Sequence, residues 1–418
     1  MSATQRILLA LALGAATGLT LSWLDPTLAI QVADAVQPIG RLWLNALQMT
    51  VVPLVLALVV VGVNTASDAA ASGRTARRAI AVFIVLLCGA SAFTAVAAPL
   101  LLSWFPRDPE LAAALGRAAV SDSTIAAPAG WADWFTGIIP SNAIHAAAQS
   151  AMLPLVVFAL FLGFALTRIE PARRVLVIEL MQAVADAMIV IVRWVLWAAP
   201  IGVFALILAV CARSGLSTIN ALGISILLQC MLYGAVTLAM LPVALIWGGE
   251  PFRRFAAAIA PAQAVAASTQ SSLASLPAML DSAQRRLGYS PQVTALVLPM
   301  AVSLFRITSP VQYMSTAAFI AWAYGIDLTG AQLVAGAALS VVISLGAVGL
   351  PGQVSFMATN LPVTQAMGLP VAPLGLLLAV NTIPDVFATV GNVTGDLTAT
   401  SVVARRTMYS PPSTDRIA

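Results

Sequence analysis

The sequence has no lysine, one histidine and three cysteines, and charged side chains make up only 9% of its 418 residues. Each shortage excludes something. Soluble domains carry about 25% charged residues, whereas this chain is 60% hydrophobic with a mean hydropathy of +0.96. Uncharged runs long enough to span a bilayer recur along it, so a very apolar soluble protein is excluded and a polytopic α-helical membrane protein is expected. The net charge of +4 comes entirely from arginine. Most arginines lie in short connections between apolar runs, where the positive-inside bias explains them without nucleic acid. Cys88, Cys211 and Cys230 lie in or beside apolar stretches with no CxxC spacing, which excludes a disulfide framework or zinc site and leaves small core hydrophobes. His145 follows Asn142 in a polar turn with no nucleophile beside it, so no enzyme chemistry and no cofactor is expected.

Apolar segments run at about 5–24, 37–66, 79–105, 131–167, 175–212 and 219–248. The first, preceded by Arg6, reads as a spanning helix and not a cleaved signal, because no small-residue cleavage site precedes Asp25. With a cytoplasmic N-terminus, six crossings put the clusters Arg74/Arg77/Arg78, Arg168/Arg173/Arg174 and Arg253/Arg254 inside, and the acidic 106–133 loop outside. The stretch 255–268 is too short to span, ends in a serine-rich tip at Ser268–Ser272, and is followed by a second short piece reaching Arg285 and Arg286. Basic flanks on both sides predict a re-entrant hairpin from the cytoplasm, with irregular backbone that must line a cavity or be buried in protein. A second hairpin is expected around the tip 346–352, entering from outside, between helices at 292–324 and 371–404. Each tip is expected to carry a Leu-Pro step, at Leu276-Pro277 and Leu350-Pro351. Hairpin then helix, twice and from opposite sides, is an inverted repeat of the kind that places transport sites near the midplane. The plainer alternative is a pair of Gly- and Pro-kinked helices.

Between Pro291 and Ala404 only Arg306, Asp327, Asp385 and Asp396 carry charge, and three of them fall inside apolar segments. A charge at the bilayer centre costs about 2.5–3.5 kcal/mol even on lenient insertion scales, so each needs a partner, water or a ligand. Asp385, Thr389, Asn392 and Asp396 recur at helical spacing, which gathers two carboxylates, a hydroxyl and an amide on one stripe. Pro310 crowds the carbonyl of Arg306, which predicts a broken helix with the guanidinium at the break. A permanent buried cation suits an anionic ligand; a simple Arg306–Asp385 neutralising pair is the bland alternative.

These residues sit among motifs that resemble the dicarboxylate/amino acid:cation symporters over nearly the whole chain. The motifs are Met49-Thr50-Val51-Val52-Pro53-Leu54, Ile139-Pro140-Ser141-Asn142, Ala199-Pro200-Ile201-Gly202-Val203-Phe204-Ala205, Ser271-Ser272, Val297-Leu298-Pro299 and Asn392-Val393-Thr394-Gly395-Asp396. The resemblance implies a glutamate-transporter fold of eight transmembrane helices and two re-entrant hairpins, at about 255–288 and 333–368. It implies a homotrimer in the inner membrane, with a scaffold at about 1–72 and 131–212. A transport domain at about 76–105 and 219–405 would move like an elevator, and 406–418 would form a cytoplasmic tail. Carried over by motif, Asp385 would bind the substrate amino group, and Thr389 and Asn392 its other polar atoms. Ser271, Ser272, Ser309 and the backbone at Leu350 and Val354 would complete the site.

The departures from the family pattern are instructive. Ala388 stands where acidic-substrate transporters carry the arginine that grips the side-chain carboxylate. Phe305-Arg306-Ile307-Thr308-Ser309 stands for the Asn-Met-Asp-Gly-Thr break, and Leu87 and Ala90 replace two further sodium ligands, with only Ser91 kept. Hard cations need several oxygens, so the sodium sites are expected to be lost, although Asn392 and Asp396 survive from another. Arg306 is then expected to stand in for the cation and to hold an acidic substrate in sodium-independent transport. Asp396 is a candidate proton carrier. A neutral amino acid substrate stays open because of Ala388. So does a sensor or anion channel built on the same fold. The partners expected are a small-molecule substrate and membrane lipid, not nucleic acid.

Overall fold

A computed structural model describes residues 3–71, 73–107, 136–346 and 352–408. Among these residues every regular element is helical. In chain order they are α1 (Ala3–Leu24), α2 (Pro26–Gln48), α3 (Val51–Ala71), α4 (Arg74–Leu102), α5 (Ala143–Ala148), α6 (Met152–Leu166), α7 (Pro171–Trp197), α8 (Ala199–Ser214) and α9 (Ser217–Ile246). There follow α10 (Phe252–Thr269), α11 (Ser272–Asp281) with a π-helical turn at Ser282–Arg286, α12 (Pro291–Leu304) and α13 (Thr308–Ala323). The chain closes with α14 (Gly330–Gly346), α15 (Gly352–Ala366), α16 (Leu374–Val380) and α17 (Thr382–Met408). Five stretches are long and apolar enough to cross a membrane: Pro26–Ala71, Arg74–Leu102, Pro171–Trp197, Ser217–Ile246 and Pro291–Ala323. Taken as one broken span, α16 and α17 make a sixth.

Helices expected as single over 37–66, 175–212 and 371–404 are interrupted, as is the helix expected to break at Arg306, and each of these interruptions has a proline just beyond it. Proline lacks an amide hydrogen and crowds the carbonyl four residues back. Pro53 follows the break at Met49–Thr50, Pro200 the break at Ala198, Pro310 the break at Phe305–Ile307, and Pro384 the break at Asn381. The helix expected over 371–404 is therefore two, because Pro384 cannot accept the geometry that would continue α16 through the Val380 carbonyl. Another expectation also needs correcting. Pro277 lies inside α11, so the first hairpin turns at Gln270, in the left-handed region with φ 52°, and not at the Leu276-Pro277 step. The tip expected at 346–352 falls largely on residues outside those described, as do Asp108, Glu110, Asp122 and Asp133.

The chain forms two compact units. The first comprises residues 1–64, 91–232 and 309–385. In it α8 packs against α1 and α2, where Ala29, Ala33, Ala209 and Ala212 bring helices close. Trp43 donates its indole N–H to the Val195 carbonyl at 3.0 Å. A β-carbon at Gly202 would collide with the Trp43 ring, so the glycine makes room for it. The amide of Asn64 bonds the Val60 and Gly163 carbonyls, and its oxygen accepts from Arg174 at 2.9 Å. The second unit comprises residues 65–90, 233–308 and 386–418. There α10 and α11 pack as an antiparallel pair with α12 against α11.

Candidate substrate and ion site

In the second unit, Phe305, Arg306 and Ile307 lie between the two halves of the broken helix. The first amides of a helix have no intrahelical acceptor and need one from elsewhere. At the start of α13 the Thr308 N–H donates to Asn392 Oδ1 at 3.0 Å, and the Thr308 hydroxyl lies 2.9 Å from the same oxygen. That hydroxyl is also 3.2 Å from the Ala388 carbonyl. Asn392 is thus a cap supplied from α17, and its Nδ2 hydrogens are directed elsewhere. Close approach depends on Gly391, where a β-carbon would sit 2.6 Å from Thr308 Cγ2 and 2.8 Å from Thr237 Oγ1.

The positions that the resemblance marks as lost sodium ligands hold buried hydrocarbon. Phe305, Ile307 and Leu87 are completely enclosed and Ala90 is buried. The Phe305 ring stacks on Phe83 with centroids 4.8 Å apart and planes within 11°. A β-carbon on Gly395 would come within 2.8 Å of Ile307 Cγ2 and 3.3 Å of Phe305 Cε1, so both side chains close directly over the α17 backbone. None of these four side chains offers an oxygen to a cation.

Asp396, next in sequence, is 0% exposed, and neither carboxylate oxygen accepts a hydrogen bond from a described residue. The charged group acting on it is the Arg306 guanidinium. An uncompensated carboxylate in a dry interior is far more costly than a paired one. Arg306, in the break between buried Phe305 and Ile307, is the cation that lowers the cost of this buried carboxylate.

α17 runs unbroken from Thr382 to Met408, so Asp385, Thr389, Asn392 and Asp396 hold the spacing expected of one stripe. Thr389, Asn392 and Asp396 are buried. At the first hairpin, Ser271 Oγ accepts from the Ala274 N–H at 3.2 Å, so this hydroxyl caps α11, and Ser272 opens that helix. Leu350 lies outside the described residues, as does the side chain of Val354.

In the first unit, Ser309 is buried in the first turn of α13. The Asp385 N–H donates to the Asn381 carbonyl at 3.0 Å. Asn381 Oδ1 accepts from Gln312 Nε2 at 2.9 Å. Neither amide was singled out from the sequence. The available signal was spacing, since Gln312 lies three residues after Ser309 and Asn381 four before Asp385. Asp327, the fourth charge of this region, pairs with Arg107 at 2.8 Å on the surface and needs no ligand.

Comparison with known proteins gives this arrangement a context. The profile of the sodium:dicarboxylate symporter family matches residues 3–406. The proton/glutamate-aspartate symporter of Escherichia coli K12 is 27% identical over 408 residues, covering 97% of this chain and 92% of that protein. A proton/sodium-glutamate symport protein of Bacillus caldotenax is 27% identical over 386 residues, covering 90% and 88%. A C4-dicarboxylate transport protein of Anaeromyxobacter sp. strain K is 28% identical over 401 residues, covering 96% and 88%. The chain belongs to the sodium:dicarboxylate symporter family.

Proposed function

We propose that the protein is a secondary transporter for an acidic amino acid or dicarboxylate, and that it works without sodium because Arg306 takes the cation's place. One observation carries the reading. Arg306 stands at the helix break between Phe305 and Ile307, which fill the neighbouring ligand positions with buried hydrocarbon, while Asp396 is fully buried with no hydrogen bond from a described residue to its carboxylate. A tethered guanidinium supplies the positive charge that a bound ion otherwise brings, and it never dissociates or deprotonates. The substrate class rests on the relatives, whose names specify glutamate, aspartate and C4-dicarboxylates.

In this reading Asp385 takes the substrate ammonium, and Thr389 and the Asn392 Nδ2 hydrogens bind its remaining oxygens. Ser272, Ser309 and the backbone at Leu350 and Val354 complete the site, and Ser271 supports it as the hairpin cap. The proposal includes eight crossings and two re-entrant hairpins in the inner membrane. The five long stretches, the broken α16–α17 pair and the shorter apolar helices α1 and α6 supply that number. It also includes a homotrimer with a scaffold at about 1–72 and 131–212, and a part at about 76–105 and 219–405 that moves as an elevator. Uptake of aspartate, glutamate and succinate into proteoliposomes is compared in sodium and in choline buffer. Equal rates are expected, and a strict sodium requirement refutes the substitution by Arg306.

A second reading is favoured by Ala388. It is buried and has no charge with which to grip a distal carboxylate, so a neutral amino acid would fit. Arg306→Met then leaves uptake of that substrate intact, whereas it removes uptake of an acidic one.

A further inference from the structure

The Gln312–Asn381 pair lies in the first unit beside two residues assigned to the substrate, and nothing in the assignments above uses it. Gln312 is one turn beyond Ser309 on α13, and Asn381 is one turn before Asp385, whose N–H it accepts. Residues three or four apart on a helix share a face. The pair is therefore in register with both.

Its chemistry follows from one hydrogen bond. Gln312 Nε2 donates to Asn381 Oδ1 at 2.9 Å. Each carboxamide has an acceptor oxygen and a donor NH2, so a head-to-head pair leaves one donor and one acceptor facing outward. Exchanging O and N in both side chains leaves the same edge, with the roles traded between the residues. Asn381 is only 7% exposed and Gln312 is half-buried, so the edge is held in place and not freely solvated. Closing the α16–α17 break does not require it, because the Asn381 backbone carbonyl already accepts the Asp385 amide.

We infer that this pair is a subsite for the distal end of the substrate side chain, and that it admits a carboxamide, as in asparagine or glutamine, alongside a carboxylate. A carboxamide offers an acceptor to the pair's NH2 and a donor to its carbonyl, so both are satisfied. A carboxylate satisfies the first and meets the second oxygen to oxygen. Four residues, about 6 Å along the helix axis, separate Asn381 from Asp385. A short amino acid covers that span from its ammonium to its distal carbonyl. The inference rests on the proposal that Asp385 holds the substrate ammonium.

The test measures uptake of labelled asparagine and aspartate by wild-type proteoliposomes and by Gln312→Met and Asn381→Asp. Asparagine is expected to be carried and to compete with aspartate. The ratio of kcat/KM for asparagine over aspartate should fall about tenfold or more in Gln312→Met, which leaves buried polar groups without partners. It should rise in Asn381→Asp, whose added charge repels the carboxylate. Opposite movements of one ratio are not produced by general damage at the helix break, and thermal unfolding of each purified variant checks folding. Aspartate uptake without competition by asparagine overturns the subsite alone, as does an equal change for both substrates in both variants. Absence of uptake of either substrate by the wild type overturns the proposed function. In that case asparagine-induced thermal stabilisation, lost in Gln312→Met, still supports the subsite, and no stabilisation overturns it.

Discussion

The second unit treats its arginines in two ways. At the base of the first hairpin, Arg405 Nη1 donates to the Ile246 and Trp247 carbonyls at 3.2 and 3.4 Å. Beside it, Arg254 Nη2 donates to the Leu287 carbonyl at 2.7 Å, with Glu250 3.8 Å from Nη1. The end of α9 presents unsatisfied carbonyls with partial negative charge, and water completes the solvation. Among the described residues Arg405 is answered by carbonyls alone, and Arg254 by a carbonyl together with the Glu250 carboxylate. Arg306 sits in the middle of the broken helix, beside buried phenylalanine and isoleucine, and acts on the carboxylate of Asp396. Carbonyls at a helix end serve the exposed Arg405. A cation in the interior needs a whole opposite charge.

Exchanging the two kinds of arginine should break the comparison most severely. Arg306→Met strands Asp396, and removing one partner of a buried pair costs about 3–5 kcal/mol. It should abolish acidic-substrate uptake and lower the unfolding temperature sharply. Arg405→Met should cost about 1 kcal/mol or less and keep most uptake, because that side chain is exposed to screening. If the two variants lose equal stability, the distinction between centre and edge is lost.

A double-mutant cycle sharpens the same point. Arg306→Met combined with Asp396→Asn should be more stable than the summed single losses by about 0.5–3 kcal/mol, since each change alone leaves a charge unanswered. Denaturation of the four purified proteins supplies the cycle, and strict additivity would mean that the two charges do not interact. Of similar or smaller size is Gly395→Ala, which drives a β-carbon to within 2.8 Å of Ile307 and should cost about 1–3 kcal/mol. Ile307→Ala, which removes the colliding Cγ2, should cost less in the Gly395→Ala background than in the wild type, as measured by unfolding temperature.

The smallest effect belongs to the edge. Tyr289 lies in the connection between the π-helical turn and α12, and burial first, then the charge of Glu250, raises its phenol above the ordinary tyrosine value. Its folded form therefore contributes stability that is complete below the ordinary value and is lost as pH climbs toward the raised one. Glu250→Gln should make that alkaline loss shallower, and Tyr289→Phe should remove it, in unfolding temperatures taken across the alkaline range.

Much of this was legible in the sequence, and the physics shows where legibility ended. Length and polarity were enough to place most spans, and Pro310 with Arg306 forecast a break that the structure has. Pro384 carried the same signal at Asn381, yet the apolar run from Leu374 to Val380 hid it. Proline alone is also insufficient, because Pro99 and Pro242 stay inside α4 and α9. What failed was pairing across the chain. The Phe83–Phe305 stack and Gln312 on Asn381 join residues far apart in sequence, and no periodicity encodes which of several partners is chosen. Ser271 also caps α11, a role that the sequence reading did not assign to it.

Asn392 gives the capping of α13 a further consequence. With its oxygen engaged by Thr308, the side chain has its two amide hydrogens left to offer, which favours a visitor that accepts. A ligand that took that oxygen from the Thr308 N–H would remove a cap from α13. The same contact that fastens the broken helix thus biases the polarity of whatever comes to rest against it.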